Sequence, residues 1–202
     1  MPWIDSVPYE QSTGRLRQLY DRLKGPGDNV DNIMMVHSLR PHSMEGHMTL
    51  YKNVLHHTGN TVPKAFLETL GVWVSLLNRC AYCVEHHFAG LTRLTGDDKR
   101  SSAIRAALET GAIEAGPFEA KEQLALRYAE ALTRDPASTT ETMVRQMRAA
   151  GYSDGEILEI NQVTAYFAYA NRTALGLGCS IKGDILGLSP NRSDDPGNWS
   201  HT

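Results

Sequence analysis

Apolar residues recur at three- and four-residue intervals along most of the chain, the stride of helices that bury one face. Glu10 to Lys24 carries this pattern and stops at Gly25-Pro26-Gly27. Val30 to Leu39 is predicted as a short helix ended by Arg40-Pro41. After Ser43, Met44, Met48, Tyr51 and Leu55 hold one face until Thr58-Gly59-Asn60. Pro63 suits a helix start. The segment that follows, AFLETLGVWVSLLN, is apolar on nearly all sides, which predicts a helix inside the core rather than on its surface. A turn near Asn78-Arg79 leads into a helix from Cys80 to about Leu94, ended by Thr95-Gly96-Asp97. Lys99 to Glu109, Phe118 to Thr133 and Thr140 to Ala150 follow as further helices. Ser153 and Glu156 make a capping box for a last helix to about Leu175, closed by Gly176 and Gly178. No strand-like alternation of useful length and no obvious repeat interrupts this order. The pattern predicts a single all-α domain over residues 1–188 and a polar, turn-rich tail over residues 189–202. The tail is expected to be mobile, or laid across a neighbouring subunit by Trp199.

Composition narrows the class of function. With 202 residues the chain can bury a sizeable core. The 20 Lys and Arg against 23 Asp and Glu leave a formal charge of −3, without a basic cluster, so no nucleic-acid partner is expected. MPWIDSVPYE is not a secretory signal, and no apolar run approaches the roughly 18 residues of a membrane span. Three cysteines do not describe an extracellular disulfide framework. A soluble cytoplasmic protein is expected.

The chemistry concentrates between Cys80 and Ala89, CAYCVEHHFA. Cys80, Cys83 and His87 stand at i, i+3 and i+7, within an arc of about 60° on an ideal helix. A dithiol at a helix start has its pKa lowered by the helix N–H groups. His87, one turn after Cys83, can favour a thiolate there or move its proton, which predicts Cys83 as the more reactive thiol. His86 also reaches Cys83 by spacing but lies further from Cys80. The bland alternatives are two incidental buried cysteines and a surface histidine. Zinc on Cys80, Cys83, His86 and His87 is disfavoured, because all four lie on one helix and structural zinc draws its ligand pairs from separate segments. No metal is expected. Val84 stands where a c-type haem motif needs histidine. Glu68 is the only acidic residue of Ala65 to Leu77. It reads either as a proton relay in a dry pocket or as an exposed carboxylate suited to the helix dipole. The histidines at 37, 42, 47, 56 and 57 show no ligand-like pattern, and Cys179 reads as an incidental thiol.

The run Glu68-x11-Cys80-x2-Cys83-x3-His87 resembles the active-site signature of the AhpD-like alkylhydroperoxidases of the carboxymuconolactone decarboxylase superfamily. LNRCAYCVEHH is also similar to that group. Trp3 to Leu23, AYFAYANRTALGLG and DILGLSP resemble a branch of uncharacterised peroxidase-related enzymes. The resemblance implies an AhpD-like helical bundle that assembles as a homotrimer or hexamer and reduces hydroperoxides. It implies that Cys83 attacks the peroxide, Cys80 resolves the product as a disulfide, and His87 with Glu68 relays protons. It implies no bound cofactor, and an external dithiol donor, in relatives a lipoyl group on a protein. Some members carry a further histidine where this chain has Tyr82, so the relay here is one member short. Decarboxylating members lack the C-x-x-C, so decarboxylation is not expected. A general dithiol–disulfide oxidoreductase, a redox sensor without turnover and a zinc-stabilised helical protein remain the competing readings.

Overall fold

The computed structural model describes residues 2–201. Its helices are α1 (Gly14–Leu23), α2 (Asn32–Met35), α3 (Pro41–Tyr51), α4 (Lys64–Leu77), α5 (Ala81–Thr95), α6 (Asp98–Thr110), α7 (Ala120–Arg134), α8 (Glu141–Ala149) and α9 (Asp154–Gly176). Only two isolated bridges, His57 with Ser193 and Pro190 with His201, have β pairing among the described residues. The architecture is all-α, and no helix among the described residues is long and apolar enough to cross a membrane.

α4 is the centre of the bundle. Every residue from Phe66 to Ser75 is buried, as its all-round apolar sequence demands. It packs against α5, α6, α7 and α9. Trp73 donates its indole N–H to the Leu126 carbonyl at 3.1 Å, which satisfies the one polar atom of a buried ring. Gly71 lets α9 approach: a β-carbon there would stand 2.3 Å from the Phe167 ring. Gly71→Ala should therefore destabilise the fold by about 1–3 kcal/mol through overpacking, despite alanine's better helix propensity. Urea unfolding should show a lower midpoint at unchanged slope, with part of the loss recovered by adding Phe167→Leu. An unaltered midpoint would show that α9 yields freely at this contact.

Helix ends follow their local chemistry. Gly96 and Gly111 take left-handed conformations at φ +60° and +70° and close α5 and α6. The Ser153–Glu156 capping box forms at α9. Three expectations need correction. Val30 to Leu39 contracts to the single turn of α2 followed by tight turns, and Arg40, which precedes a proline, is out of helical geometry at φ −142°. Pro41 opens α3 rather than closing a helix, since its missing N–H costs nothing at the first helical position.

The tail is the third correction. Trp199 is 1 % exposed and packs within its own chain, in a cluster with Leu16, Leu19, Tyr20 and Leu23 of α1. The Arg22 guanidinium lies 3.6 Å from its ring centre. The buried Lys52 side chain donates to the carbonyl of Asn191. One aromatic anchor and a few hydrogen bonds thus hold a polar segment whose composition alone predicts mobility.

Candidate functional site

The backbone turn between α4 and α5 places the dithiol. Arg79 adopts a left-handed conformation at φ +59°, ending α4, and the Cys80 N–H then donates to the Ser75 carbonyl at 2.8 Å. Cys80 is consequently the N-cap of α5, and Cys83 lies one turn inside it. The sulfurs are 3.2 Å apart as free thiols, and both are buried. Asn171 of α9 ties this corner down. Its amide donates to Ser75 Oγ at 3.0 Å and accepts from Asn78 at 3.0 Å.

The paired sulfurs do not hold protons equally. The hydrogen bond from Cys83 favours a thiolate on Cys80, and the N–H groups of Cys83 and Tyr82 at the helix start add to it. Cys83 is pushed up, first by the same pairing and then by burial. The helix N-terminus thus acts on Cys80, whereas spacing alone points to Cys83. His87 makes no hydrogen bond to either sulfur among the described residues. Cys83 nevertheless faces an internal cavity that Cys80 does not line.

Glu68 projects from the second turn of α4 toward α5 and is 2 % exposed. Its Oε2 lies 2.7 Å from His87 Nδ1. A carboxylate only accepts, so Nδ1 carries the proton and donates it, and Nε2 is the ring nitrogen turned to other partners. The ring is held edge-on against Phe167, with centroids 4.5 Å apart. Glu68, Cys83 and His87 line the same cavity, together with Tyr51, Tyr82 and Tyr166. Gly187 to Pro190 and His201 form part of its wall, so the segment after α9 closes the site.

His86 turns away from the thiols. Its Nε2 lies 3.1 Å from Asp184 Oδ2, which also accepts a 2.6 Å bond from the Tyr82 hydroxyl. The four residues considered for zinc are therefore split, with His86 on Asp184 and His87 on Glu68. Cys179 packs against the cluster of Cys80, Tyr82, Cys83 and Ala174 rather than standing alone, and burial raises its thiol to about 11. His47 is buried with its ring 5.1 Å from that of His37, and desolvation lowers it to about 3, so it is neutral in the fold. Sequence reading missed Asp31, Asp184 and Asn171. Each comes from a segment remote from the C-x-x-C, and nothing local marks it.

No protein-family model matches the chain, and no curated protein matches it. Solved structures do. An uncharacterised peroxidase-related protein from Silicibacter sp. TM1040 superposes with a TM-score of 0.76 at 22 % identity, covering 89 % of this chain and 91 % of its own. A protein from Ralstonia eutropha JMP134, described as an alkylhydroperoxidase AhpD core and as peroxidase-related, gives 0.76 at 18 % identity, covering 92 % and 96 %. A variant of the debrominase Bmp8 in complex with 2,3,4-tribromopyrrole gives 0.64 at 18 % identity, covering 83 % of each chain. Likeness at this identity speaks to architecture, and on that ground the chain has the AhpD-like helical-bundle fold.

Proposed function

We propose that this chain is a thiol-dependent peroxidase that reduces hydroperoxides through a Cys80–Cys83 dithiol/disulfide cycle. The observation that carries the reading is the pair of buried Glu68 and half-buried His87, 2.7 Å apart, on the wall of the cavity that Cys83 faces. Such a pair is a base held in a dry site, and a buried carboxylate without that use is costly. The AhpD-like fold supports the same direction.

In this reading His87 Nε2 takes the Cys83 proton, directly or through a water, with Glu68 steadying the ring. The Cys83 thiolate attacks the terminal peroxide oxygen. The O–O bond breaks, the sulfur becomes a sulfenic acid, and the alkoxide leaves as alcohol after protonation. Cys80, already inclined to the thiolate, then attacks the Cys83 sulfur. A disulfide forms and water leaves. An external dithiol, lipoyl-type in the relatives that the sequence resembles, returns the two electrons. No cofactor is bound in this scheme. The proposal includes a homotrimer or hexamer in the cytoplasm, supported by apolar side chains left exposed on the bundle, among them Leu39, Leu158 and Leu175.

The test is an assay of purified protein with an organic hydroperoxide and dihydrolipoamide. One peroxide should be consumed per dithiol oxidised, and peptide mapping after peroxide alone should find the Cys80–Cys83 disulfide. A second reading, general dithiol–disulfide exchange, draws support from the acidic position of Cys80 at the helix start. Exchange with disulfide substrates, without peroxide consumption, would favour it.

A further inference from the structure

The cavity has a second polar wall that the peroxide scheme does not use. Asp31 precedes α2, His86 lies on α5 and Asp184 follows α9, yet one ligand atom from each falls within 4.8 Å of the other two. His86 Nε2 and Asp184 Oδ2 are 3.1 Å apart. Two ligands held to one cation by bonds of about 2.0–2.2 Å sit about 3.0–3.4 Å from each other, so this edge has the dimensions of a coordination site. Asp31 Oδ1 is buried on the cavity wall without a hydrogen-bond partner among the described residues. No lysine or arginine pairs with either carboxylate among the described residues, and the Asp184 carboxylate faces His86 instead.

The supporting contacts are also those of a ligand set. Asp184 is held by the Tyr82 hydroxyl at 2.6 Å and by the Asn32 backbone N–H at 3.1 Å, which fix the direction of the carboxylate. The cluster sets two carboxylates and an imidazole nitrogen side by side with little else to offset the carboxylate charge, and a divalent cation would offset it. Oxygen donors with one nitrogen suit a borderline cation better than a thiol-seeking one, and the imidazole argues against magnesium or calcium.

We propose that Asp31, His86 and Asp184 form a binding site for one divalent transition cation of the manganese or zinc kind, open to the cavity. Three protein ligands leave room for water or for an oxygen donor entering from the cavity side. The site does not rest on the dithiol reading, since none of its ligands takes part in that cycle.

Mn²⁺ is the probe of choice, because thiolates bind it weakly and the C-x-x-C then contributes little. Full-length protein, freed of metal by chelation, is titrated with Mn²⁺ while the free-ion electron paramagnetic resonance signal is followed. One equivalent should be taken up, and affinity should fall at least about ten-fold in Asp31→Asn and in His86→Gln. Circular dichroism checks that each variant is folded, and if one is not, the other carries the test. Absence of uptake up to millimolar Mn²⁺ at neutral pH, or unchanged affinity in a folded variant, would overturn the assignment and leave a cation-free His86–Asp184 pair.

Discussion

Replacing Cys83 by serine should abolish hydroperoxide turnover, the largest effect expected of any single substitution. The hydroxyl that replaces the thiol is a far weaker nucleophile at neutral pH, and Cys83 is the sulfur that faces the cavity. Cys80→Ser should behave differently. Cys83 would still be oxidised once per chain, and the reaction would stop at the sulfenic acid for want of a partner 3.2 Å away. Mass spectrometry with a sulfenic-acid trap distinguishes the two: one adduct at Cys83 in Cys80→Ser, none at Cys80 in Cys83→Ser. Alkylation of the reduced protein at neutral pH gives a separate reading of acidity. Cys80 should be labelled first, since the bond from Cys83 and the N–H groups at the helix start lower its thiol. An adduct at Cys80 with peroxide, together with turnover in Cys83→Ser, would reverse the two roles and favour thioredoxin-like exchange.

Glu68→Gln should slow peroxide-driven disulfide formation by on the order of 10²- to 10⁴-fold, the usual scale for a positioned base. Glutamine preserves shape but cannot hold a proton-bearing imidazole in the same charged contact. The carboxylate is 2 % exposed and bonded to His87 at 2.7 Å, so water does not easily replace it. His87→Gln should give a similar loss. The double variant should lose less than the product of the two, because the residues act on one proton. The pH profile separates this role from a structural one. Loss of the relay should move the rate toward dependence on the thiol's own ionisation, so activity recovers as pH rises. Full activity in Glu68→Gln with an unchanged profile would remove Glu68 from the mechanism.

Several features of the fold were legible because their causes are local. The all-round apolar run of α4 had to be central, and its burial from Phe66 to Ser75 follows from that. Gly96 and the Ser153–Glu156 box marked helix ends through backbone chemistry that needs no distant partner. The spacing of Cys83 and His87 sets them one turn apart on α5, with Cys80 at its N-cap, whatever packs against that helix. Other features depended on what lay across the bundle. Glu68 read equally as a buried relay or a surface carboxylate, and only the approach of α5 brings His87 to it. His86 and His87 are neighbours in sequence but point to different acids, Asp184 and Glu68, because successive residues on a helix diverge by about 100°.

Local pattern fixes the all-helical architecture, the central place of α4 and the shared helix of Cys83 and His87. Each follows from periodicity, capping or a conformational limit acting within a few residues. Packing across the bundle set which carboxylate meets which histidine, seated Trp199 of the tail on α1, and brought Asp31 and Asp184 together beside His86. Those outcomes depend on contacts between segments far apart in the chain. Their energy comes from burial and hydrogen bonding after the helices assemble, and no local pattern encodes it.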